Sequence, residues 1–568
     1  MQGGVLMLRV NSISKAYKGK TVLNKIEFTL NSGEKIGLVG SNGVGKSTLL
    51  RIISGIEKAD EGIIEIDNPE FIGYLRQEFK IEEENETITS FIKKEIGIDA
   101  IEEELKVLEE TMGEDIEKIE KYCELQEKYS LLDGYNFDYK LDTILNGLGL
   151  GKEFKNKKIS ELSGGQKNKV MLALVLLKGA ELILLDEPTN NLDLKSIKWL
   201  ENYLSTLDVP CLIVSHDRRF LNKVTTKTIE IDEFERTCKE YPGNYSDYVE
   251  FKRKEEEKQL ELYSSQQEEI KTLQDSVKQK KDWASKGRKQ GVKDNDKYTR
   301  GYERDRSSGL ASKAKQIEKQ IQQMEKVERP KTRNKLQIKI NTSKMKGSTN
   351  IAFRDLICGY DKGFQTEPIS FDCNFGQKIV IIGDNGSGKT TFLKTLMKEQ
   401  KPISGNIDIG SALKIGYIAQ DTKENTDLPI DEYIKESIDY ENLQDKSMIY
   451  TVMKQFNFSY DDRGKKYSEL SPGERTRIHL AIFSMLDINT LILDEPTNHL
   501  DIEALEALEE VLENFEGTVI AISHDREFIE KICPDKILEM ANGKFREIRV
   551  ENIEQKKKDK EIEDEIIH

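Results

Sequence analysis

One octapeptide, Gly-Ser-Asn-Gly-Val-Gly-Lys-Ser at residues 40–47, recurs as Gly-Asp-Asn-Gly-Ser-Gly-Lys-Thr at residues 383–390. Both fit G-x-x-x-x-G-K-[ST], the loop that cradles nucleotide phosphates. Its glycines let successive backbone N–H groups converge on phosphate oxygens, and the helix that follows adds partial positive charge. The candidate cradles are therefore Gly40, Ser41, Asn42, Gly43 and Gly45, and Gly383, Asp384, Asn385, Gly386 and Gly388. Lys46 and Lys389 would reach the β- and γ-phosphates, Ser47 and Thr390 would hold Mg²⁺, and Thr48 and Thr391 complete the set. Apolar runs (Ile36-Gly-Leu-Val, Ile379-Val-Ile-Ile) precede the loops, and helix-like segments follow them. Each loop is expected to join a strand to a helix, which makes both halves α/β.

The repeat extends well beyond the loops. Lys46 to Gln77 is 31 residues, as is Lys389 to Gln420; Glu187 to His216 is 29, as is Glu495 to His524; Ser163 to Glu187 is 24, as is Ser471 to Glu495. Matched spacings of this kind define two copies of one domain. In each copy an apolar run ends in Asp-Glu. Asp186 and Asp494 suit Mg²⁺ through its water shell, and Glu187 and Glu495 suit activation of the attacking water. Gln77 and Gln420 end strand-like runs and are further Mg²⁺ and catalytic candidates. His216 and His524, each in Ser-His-Asp-Arg, are candidate γ-phosphate contacts. Contiguous Ser, His and Asp at a strand end cannot converge as a protease triad. Tyr17 and Tyr360 each stand 23 residues before the first loop glycine. Either could be a core ring, but stacking on the adenine ring fits equally and the repeat favours it.

Two stretches lie outside the repeat. Gln77 to Ser163 spans 86 residues, against 51 between Gln420 and Ser471, so the first copy carries an insertion, placed at about 90–135. Its charged, helix-period sequence suggests a projecting helical hairpin, either a tolerated surface insertion or a docking arm. Residues 242–330 lie between the copies and are rich in Glu, Lys and Gln. Leu310, Ala314, Ile317, Ile321 and Met324 recur as a narrow helix seam, with Ile270, Leu273 and Val277 as a partner seam. Two antiparallel helices are expected, with a tip between Trp283 and Gly309; ~38 helical residues would reach on the order of 57 Å. From Lys278 to Lys315 there are 13 Lys/Arg and 5 Asp/Glu, on a chain whose net charge is -16. A basic tip with aromatic residues between the charges fits nucleic-acid backbone and unstacked bases. The candidate contacts are Lys281, Trp283, Lys286, Arg288, Lys289, Lys293, Lys297, Tyr298, Arg300, Tyr302, Arg304 and Arg306; a solvated coiled-coil tip is the plainer reading.

No apolar run approaches the ~18 residues of a membrane span, and no secretory pattern opens the sequence. The six cysteines are scattered without a C-x-x-C pair, which argues against zinc ribbons and for semi-buried thiols in a reducing cytoplasm.

Leu162-Ser-Gly-Gly-Gln166 precedes the first Asp-Glu, and Leu470-Ser-Pro-Gly-Glu474 the second. With the loops, glutamines, carboxylates and histidines, the chain resembles the ATP-binding cassette superfamily. The resemblance implies two tandem α/β cassettes, residues 1–241 and 331–550, closing head to tail on two ATP molecules. Lys46, Gln77, Glu187 and His216 would then face Ser471, Gly473 and Glu474. Lys389, Gln420, Glu495 and His524 would face Ser163, Gly164, Gly165 and Gln166. More narrowly, Glu187-Pro-Thr-Asn-Asn-Leu-Asp193, Glu495-Pro-Thr-Asn-His-Leu-Asp501 and Tyr241-Pro-Gly-Asn-Tyr-Ser are similar to the ABC-F proteins. Membership there implies a cytoplasmic ATPase, a functional monomer with an intramolecular cassette pair. It implies binding to the exit site of the 70S ribosome, with large-subunit rRNA and P-site tRNA in reach of the linker tip, and no DNA or membrane partner. The long basic tip resembles the resistance group acting against lincosamides, pleuromutilins and streptogramin A. The alternatives are a housekeeping translation factor and, more remotely, the ATPase subunit of a membrane transporter. Residues 551–568 form a short charged tail.

The copies depart from each other in three places. Asn191 stands where the second copy has His499. Pro472 stands for Gly164 and removes a backbone N–H, and Glu474 stands for Gln166. The two sites are therefore expected to hydrolyse ATP unequally.

Overall fold

The computed structural model describes residues 6–66, 71–76, 85–111, 113, 115–190, 192–290, 308, 312–324, 327, 348–360, 363–384, 386–419, 427–438, 448–456, 458–486, 488–497, 500, 502–541 and 543–548. The chain forms two compact units: residues 1–246 with 334–568, and residues 247–333.

The first unit contains both cassettes, and they share one plan. In the first, the six-stranded sheet runs Ile72–Leu75, Leu182–Asp186, Cys211–Val214, Lys35–Val39, Lys227–Ile231, Cys238–Pro242, parallel except for the last strand. In the second, the order is Ile415–Ile418, Thr490–Asp494, Thr518–Ile522, Lys378–Ile382, Lys536–Ala541, Lys544–Ile548, with the same single antiparallel edge. The strands Lys35–Val39, Leu182–Asp186, Cys211–Val214, Thr490–Asp494 and Thr518–Ile522 are short, nearly all apolar and buried at every position, and Lys378–Ile382 is buried at its three middle positions. Such runs suit parallel strands covered on both faces. A three-stranded antiparallel sheet flanks each: Leu6–Tyr17 with Lys20–Asn31 and Glu61–Ile66, and Ile351–Ile357 with Ile369–Cys373 and Ser404–Ile409.

Each helical subdomain feeds one long buried helix, Gly164–Leu177 or Pro472–Met485. Both start with a reciprocal cap. Ser163 accepts from the Gln166 N–H while the Gln166 side chain accepts from the Ser163 N–H, and Ser471 and Glu474 do the same. Pro472 sits in the first turn, where a missing N–H leaves no helical bond unmade. In the first cassette the extra residues form the helices Ile98–Thr111 and Ile116–Leu131, joined by Tyr122 Oη–Glu109 (2.8 Å) and a Lys121–Glu104 ion pair.

The helix Tyr245–Gln290, whose first two residues belong to the first unit and the rest to the second, is 46 residues long, ~69 Å at 1.5 Å per residue. It ends within the stretch between Trp283 and Gly309 where the sequence places the tip, but runs past Trp283 and beyond the ~38 residues expected. Lys- and Gln-rich residues propagate a helix well, and the single Gly287 costs only about 1 kcal/mol. Residues 312–323 are helical and run back antiparallel, with Lys281 Nζ 2.7 Å from Glu318 and the Val327 N–H donating to Gln266 (2.8 Å). Val277 and Ala314 are the most buried of the seam's described residues. Among the described residues no helix is long and apolar enough to cross a membrane. All six cysteines are free; Cys211, Cys358 and Cys373 are buried as expected, but Cys123 and Cys533 are exposed.

Ala314→Glu would force a carboxylate against Val277. Limited proteolysis is expected to cut within residues 247–333 earlier than in the parent protein, with the cassette fragments as resistant as before.

Candidate functional site

Parallel register brings the candidate residues together. Gly37 pairs with Ile213, and Asp186 pairs with Val214. The Glu187 N–H donates to the Val214 carbonyl (2.8 Å), so Glu187 leaves its strand two residues from His216. The second cassette repeats this, with Asp494 opposite Ile522 and the Glu495 N–H donating to the Ile522 carbonyl (3.0 Å). Loop, carboxylates and histidine thus emerge at the C-terminal ends of adjacent strands, where open α/β sheets take ligands.

Both glutamates occupy left-handed backbone, φ 55° at Glu187 and 48° at Glu495. This conformation is costly for a residue with a Cβ, and it aims the carboxylate across the strand ends. Glu187 accepts from the His216 N–H (3.2 Å), and the His216 ring lies 3.3 Å from its other oxygen; His524 lies 3.2 Å from Glu495. Burial pushes Glu187 up to about 8 and Glu495 to about 7, against the pull of Lys46 and Lys389. Burial likewise lifts Asp494 to about 6 and drops His524 to about 3.

The loops fit a triphosphate. Lys46 Nζ lies on the Gly40 and Ser41 carbonyls (2.6 and 3.1 Å), and Lys389 Nζ on those of Gly383 and Asp384 (2.7 and 3.1 Å). A Cβ at Gly45 would meet Leu23 at 2.7 Å, and one at Gly388 would meet Phe364 at 2.4 Å. At Gly43 and Gly386, both with positive φ, nothing lies within 4 Å, which is the open side of the cradle. The donor sets also fit a hydrated divalent cation. Asp186 Oδ2 and Asp494 Oδ2 are buried without a hydrogen-bond partner, while Thr390 Oγ1 stands 3.4 Å from Asp494.

A cavity of about 420 Å³ brings these groups together in the first site. Tyr17, Asn42, Gly43, Gly45, Lys46, Ser47, Thr48, Asp186, Glu187 and His216 line it, and so does Ser471 of the other cassette. Val22, Asn190 and Val214 line it too, and the sequence reading missed them; Val22 was findable as the apolar residue five after Tyr17. Tyr17 is 40% exposed with its hydroxyl on Glu57, and Tyr360 is also exposed. Opposite the second loop, Lys195 of the first cassette contacts Asp384 (2.9 Å). The signature elements differ: Ser163 and Gly164 are exposed, whereas Ser471 is half-buried and Gly473 buried. Gln77, Gln420, Asn385, Asn191 and His499 lie outside the described residues. So do Lys293, Lys297, Tyr298, Arg300, Tyr302, Arg304 and Arg306. Lys281, Trp283, Lys286, Arg288 and Lys289 lie on the long helix, with Trp283 exposed.

The chain is similar to known proteins along most of its length. The family model described as ABC transporter matches residues 23–190 and 366–498, and a second model of the same description matches 231–340. The chain is 33% identical over 548 residues to ABC transporter F family member 2 of Arabidopsis thaliana, covering 94% of this chain and 76% of that protein. It is 30% identical over 530 residues to the energy-dependent translational throttle protein EttA of Mycobacterium tuberculosis, covering 92% and 89%. In fold it resembles the structure described as the complex of archaeal ribosomal stalk protein aP1 and archaeal ribosome recycling factor aABCE1. The TM-score there is 0.54 at 19% identity, covering 94% and 88%.

Two predictions follow from the site. Glu187 folds with its carboxyl raised from the ordinary 4.5 to about 8, so ionising it opposes folding increasingly as pH rises between those values. Glu187→Gln is therefore expected to raise the melting temperature by a few degrees at pH 8 and to change it little at pH 5, read by calorimetry without nucleotide in EDTA. The second concerns Pro472 and Glu474. One lost N–H donor is worth about 1 kcal/mol, roughly fivefold in affinity. Glu495→Gln, which leaves only the first site active, should accordingly show a higher KM for ATP than Glu187→Gln. Adding Pro472→Gly and Glu474→Gln should close the gap in steady-state assays.

Proposed function

The chain belongs to the F family of ATP-binding cassette proteins and hydrolyses ATP, and from that premise we propose that it works as an ATP-gated ribosome-binding factor in the cytoplasm. The observation that carries this reading is Ser471 of one cassette in the same cavity as Lys46, Glu187 and His216 of the other. A site completed by both cassettes ties ATP binding to their closure. In hydrolysis, Lys46 would leave its own loop's carbonyls for the β- and γ-phosphate oxygens, and the Ser471 hydroxyl would hold the γ-phosphate. Glu187 takes the proton of the attacking water, whose oxygen bonds the γ-phosphorus as the bond to the bridging oxygen breaks and ADP leaves. His216, on the Glu187 carboxylate, keeps that base oriented. Mg²⁺, held by Ser47 with Asp186 and by Thr390 with Asp494, would neutralise charge on the phosphates.

The partner reading rests on the linker. Its stretch 278–315 carries the excess of Lys and Arg noted above, with Trp283 60% exposed. Such a segment suits folded rRNA in the exit-site region and the P-site tRNA beside it. The name of the mycobacterial relative, a translational throttle, points the same way. The finer reading, favoured by the long basic stretch, is that the tip remodels the peptidyl-transferase region and displaces lincosamides, pleuromutilins or streptogramin A. The relative's name favours a housekeeping translation factor instead.

Glu187→Gln with Glu495→Gln, trapped with ATP, is expected to co-sediment with 70S ribosomes and to lose that binding when residues 284–308 are replaced by a short Gly-Ser turn. Binding that survives the replacement would refute the linker's role. Expression of the parent chain in a drug-sensitive host separates the finer readings: a raised inhibitory concentration for those drug classes supports displacement, and no change supports the housekeeping role.

A further inference from the structure

Between the two sites lies a buried charge cluster with a repeated plan. Arg218, directly after the Ser-His-Asp of the first cassette, reaches across to Glu509 of the second, and its Nε lies 3.2 Å from Glu527. Lys531 takes the other Glu509 oxygen (2.7 Å). Arg526 of the second cassette faces Glu201 of the first (3.7 Å), with Lys223 on the remaining oxygen (3.5 Å). All three positions recur at the same 308-residue offset that relates Glu187 to Glu495. The two halves are unequal. Arg218 and Glu509 each expose only 3% of their side chains, whereas Arg526 exposes 18%.

The short helix Arg218–Val224 has another attachment, not seen for its counterpart among the described residues. Asn222 Oδ1 accepts the Ser246 N–H (2.6 Å), in the first turn of the helix Tyr245–Gln290. That turn has N–H groups with no intrahelical acceptor, so a side-chain cap there fixes where the helix starts. Tyr245 is buried beside the same cluster, where the charges of Glu506, Arg218, Glu527 and Glu509 act on its hydroxyl. The position equivalent to Asn222 in the second cassette is Glu530, which pairs with Arg219. One helix, beginning two residues after His216, therefore touches the other cassette at one end and the root of the long helix at the other.

We propose that the helix Arg218–Val224 is the lever that carries the nucleotide state of the first site to the start of the long helix, with Arg218 as its cross-cassette positioning residue and Asn222 as its output contact. His216 senses the γ-phosphate in this scheme, so the inference rests on the ATP-gated reading but not on ribosome binding. When the cassettes close, Arg218 holds the lever against Glu509 and Glu527, and Asn222 holds the first turn of the long helix to the lever. At the equivalent position of the second cassette, Glu530 pairs with Arg219 of the first, so among the described residues the output contact belongs to the first site.

The test needs no ribosome. In the ATP-trapped background Glu187→Gln/Glu495→Gln, amide hydrogen exchange of residues 245–255 is compared with and without ATP. ATP is expected to slow exchange there by about tenfold, the factor given by roughly 1.4 kcal/mol of added protection. Asn222→Ala should abolish the ATP-dependent change, and Asn222→Asp, which keeps an acceptor oxygen, should restore it. Arg218→Met with Glu509→Leu should also abolish it; replacing a buried ion pair by apolar residues of similar size is often close to neutral for stability. In all these variants fluorescent-ATP affinity should stay within about threefold of the background, less than the 1.4 kcal/mol that corresponds to tenfold. An ATP-dependent change that persists in Asn222→Ala, is absent from the background protein, or vanishes only together with ATP binding would overturn the proposal. The Asn222 pair alone decides the matter if the Arg218 variant does not fold.

Discussion

The pairing of three parallel strands in a fixed register is the constraint on which the rest depends. Lys35–Val39, Leu182–Asp186 and Cys211–Val214 must end together for a phosphate loop, a carboxylate pair and a histidine to share one crevice. A slip of one residue would turn Asp186 to the opposite face of the sheet. The apolar residues alone would tolerate such a slip, since every position is buried; what opposes it is the charged end of the strand, because Asp186 drawn away from the crevice would lose water and its ligand together. The second cassette holds the same register through different residues, Thr490–Asp494 against Thr518–Ile522. The catalytic geometry is thus a property of sheet packing, and Glu187 and Glu495 add backbone strain that the packing must sustain.

Two equal frames carry two unequal sites. Ser471 reaches into the first cavity while Ser163 stays exposed, and Arg218 is sealed in while Arg526 is only partly covered. These differences agree in direction: contact between the cassettes is tighter on the side of Arg218. The sequence departs in the same region, since Pro472 and Glu474 belong to the element that completes the first site. A tightly packed partner element with one N–H fewer and one carboxylate more can shape a site for closure while giving up some phosphate affinity. Unequal turnover at the two sites is what such a difference would produce.

Much of this was legible in the sequence because chemistry and spacing repeat together. The loops, the Asp-Glu pairs and the histidines lie where strand ends require them, and Ser471 faces Lys46 as the family resemblance implied. The long helix was placed correctly but ended too soon, because Trp283 is no helix stop and one glycine does not break a chain of good helix formers. Arg218 stood in plain view in Ser-His-Asp-Arg, yet its partner Glu509 is 291 residues away, and only the fold brings them together. The repeat offset could have flagged Glu201 and Glu509 as equivalents, but no local pattern distinguishes a buried glutamate on a charged helix from a solvated one. Asn222 was hidden for a related reason: its role depends on where the long helix begins in space.

The choice of charge for the buried cross-cassette contact has its own logic. An apolar patch of similar size would hold the cassettes together at least as firmly, since burying an ion pair costs desolvation that its attraction only roughly repays. But a switch must also open, and an apolar face parted from its partner would sit exposed and adhesive. Arg218, Glu509, Glu527 and Lys531 are readily rehydrated when separated, so the contact exacts little in either state while insisting on one alignment when closed. The same charges act on the buried Tyr245 at the root of the long helix. Specific geometry at small net energy is what a reversible coupling between an ATP site and a distant helix requires, and here it comes from a handful of charged side chains at the meeting point of two repeats.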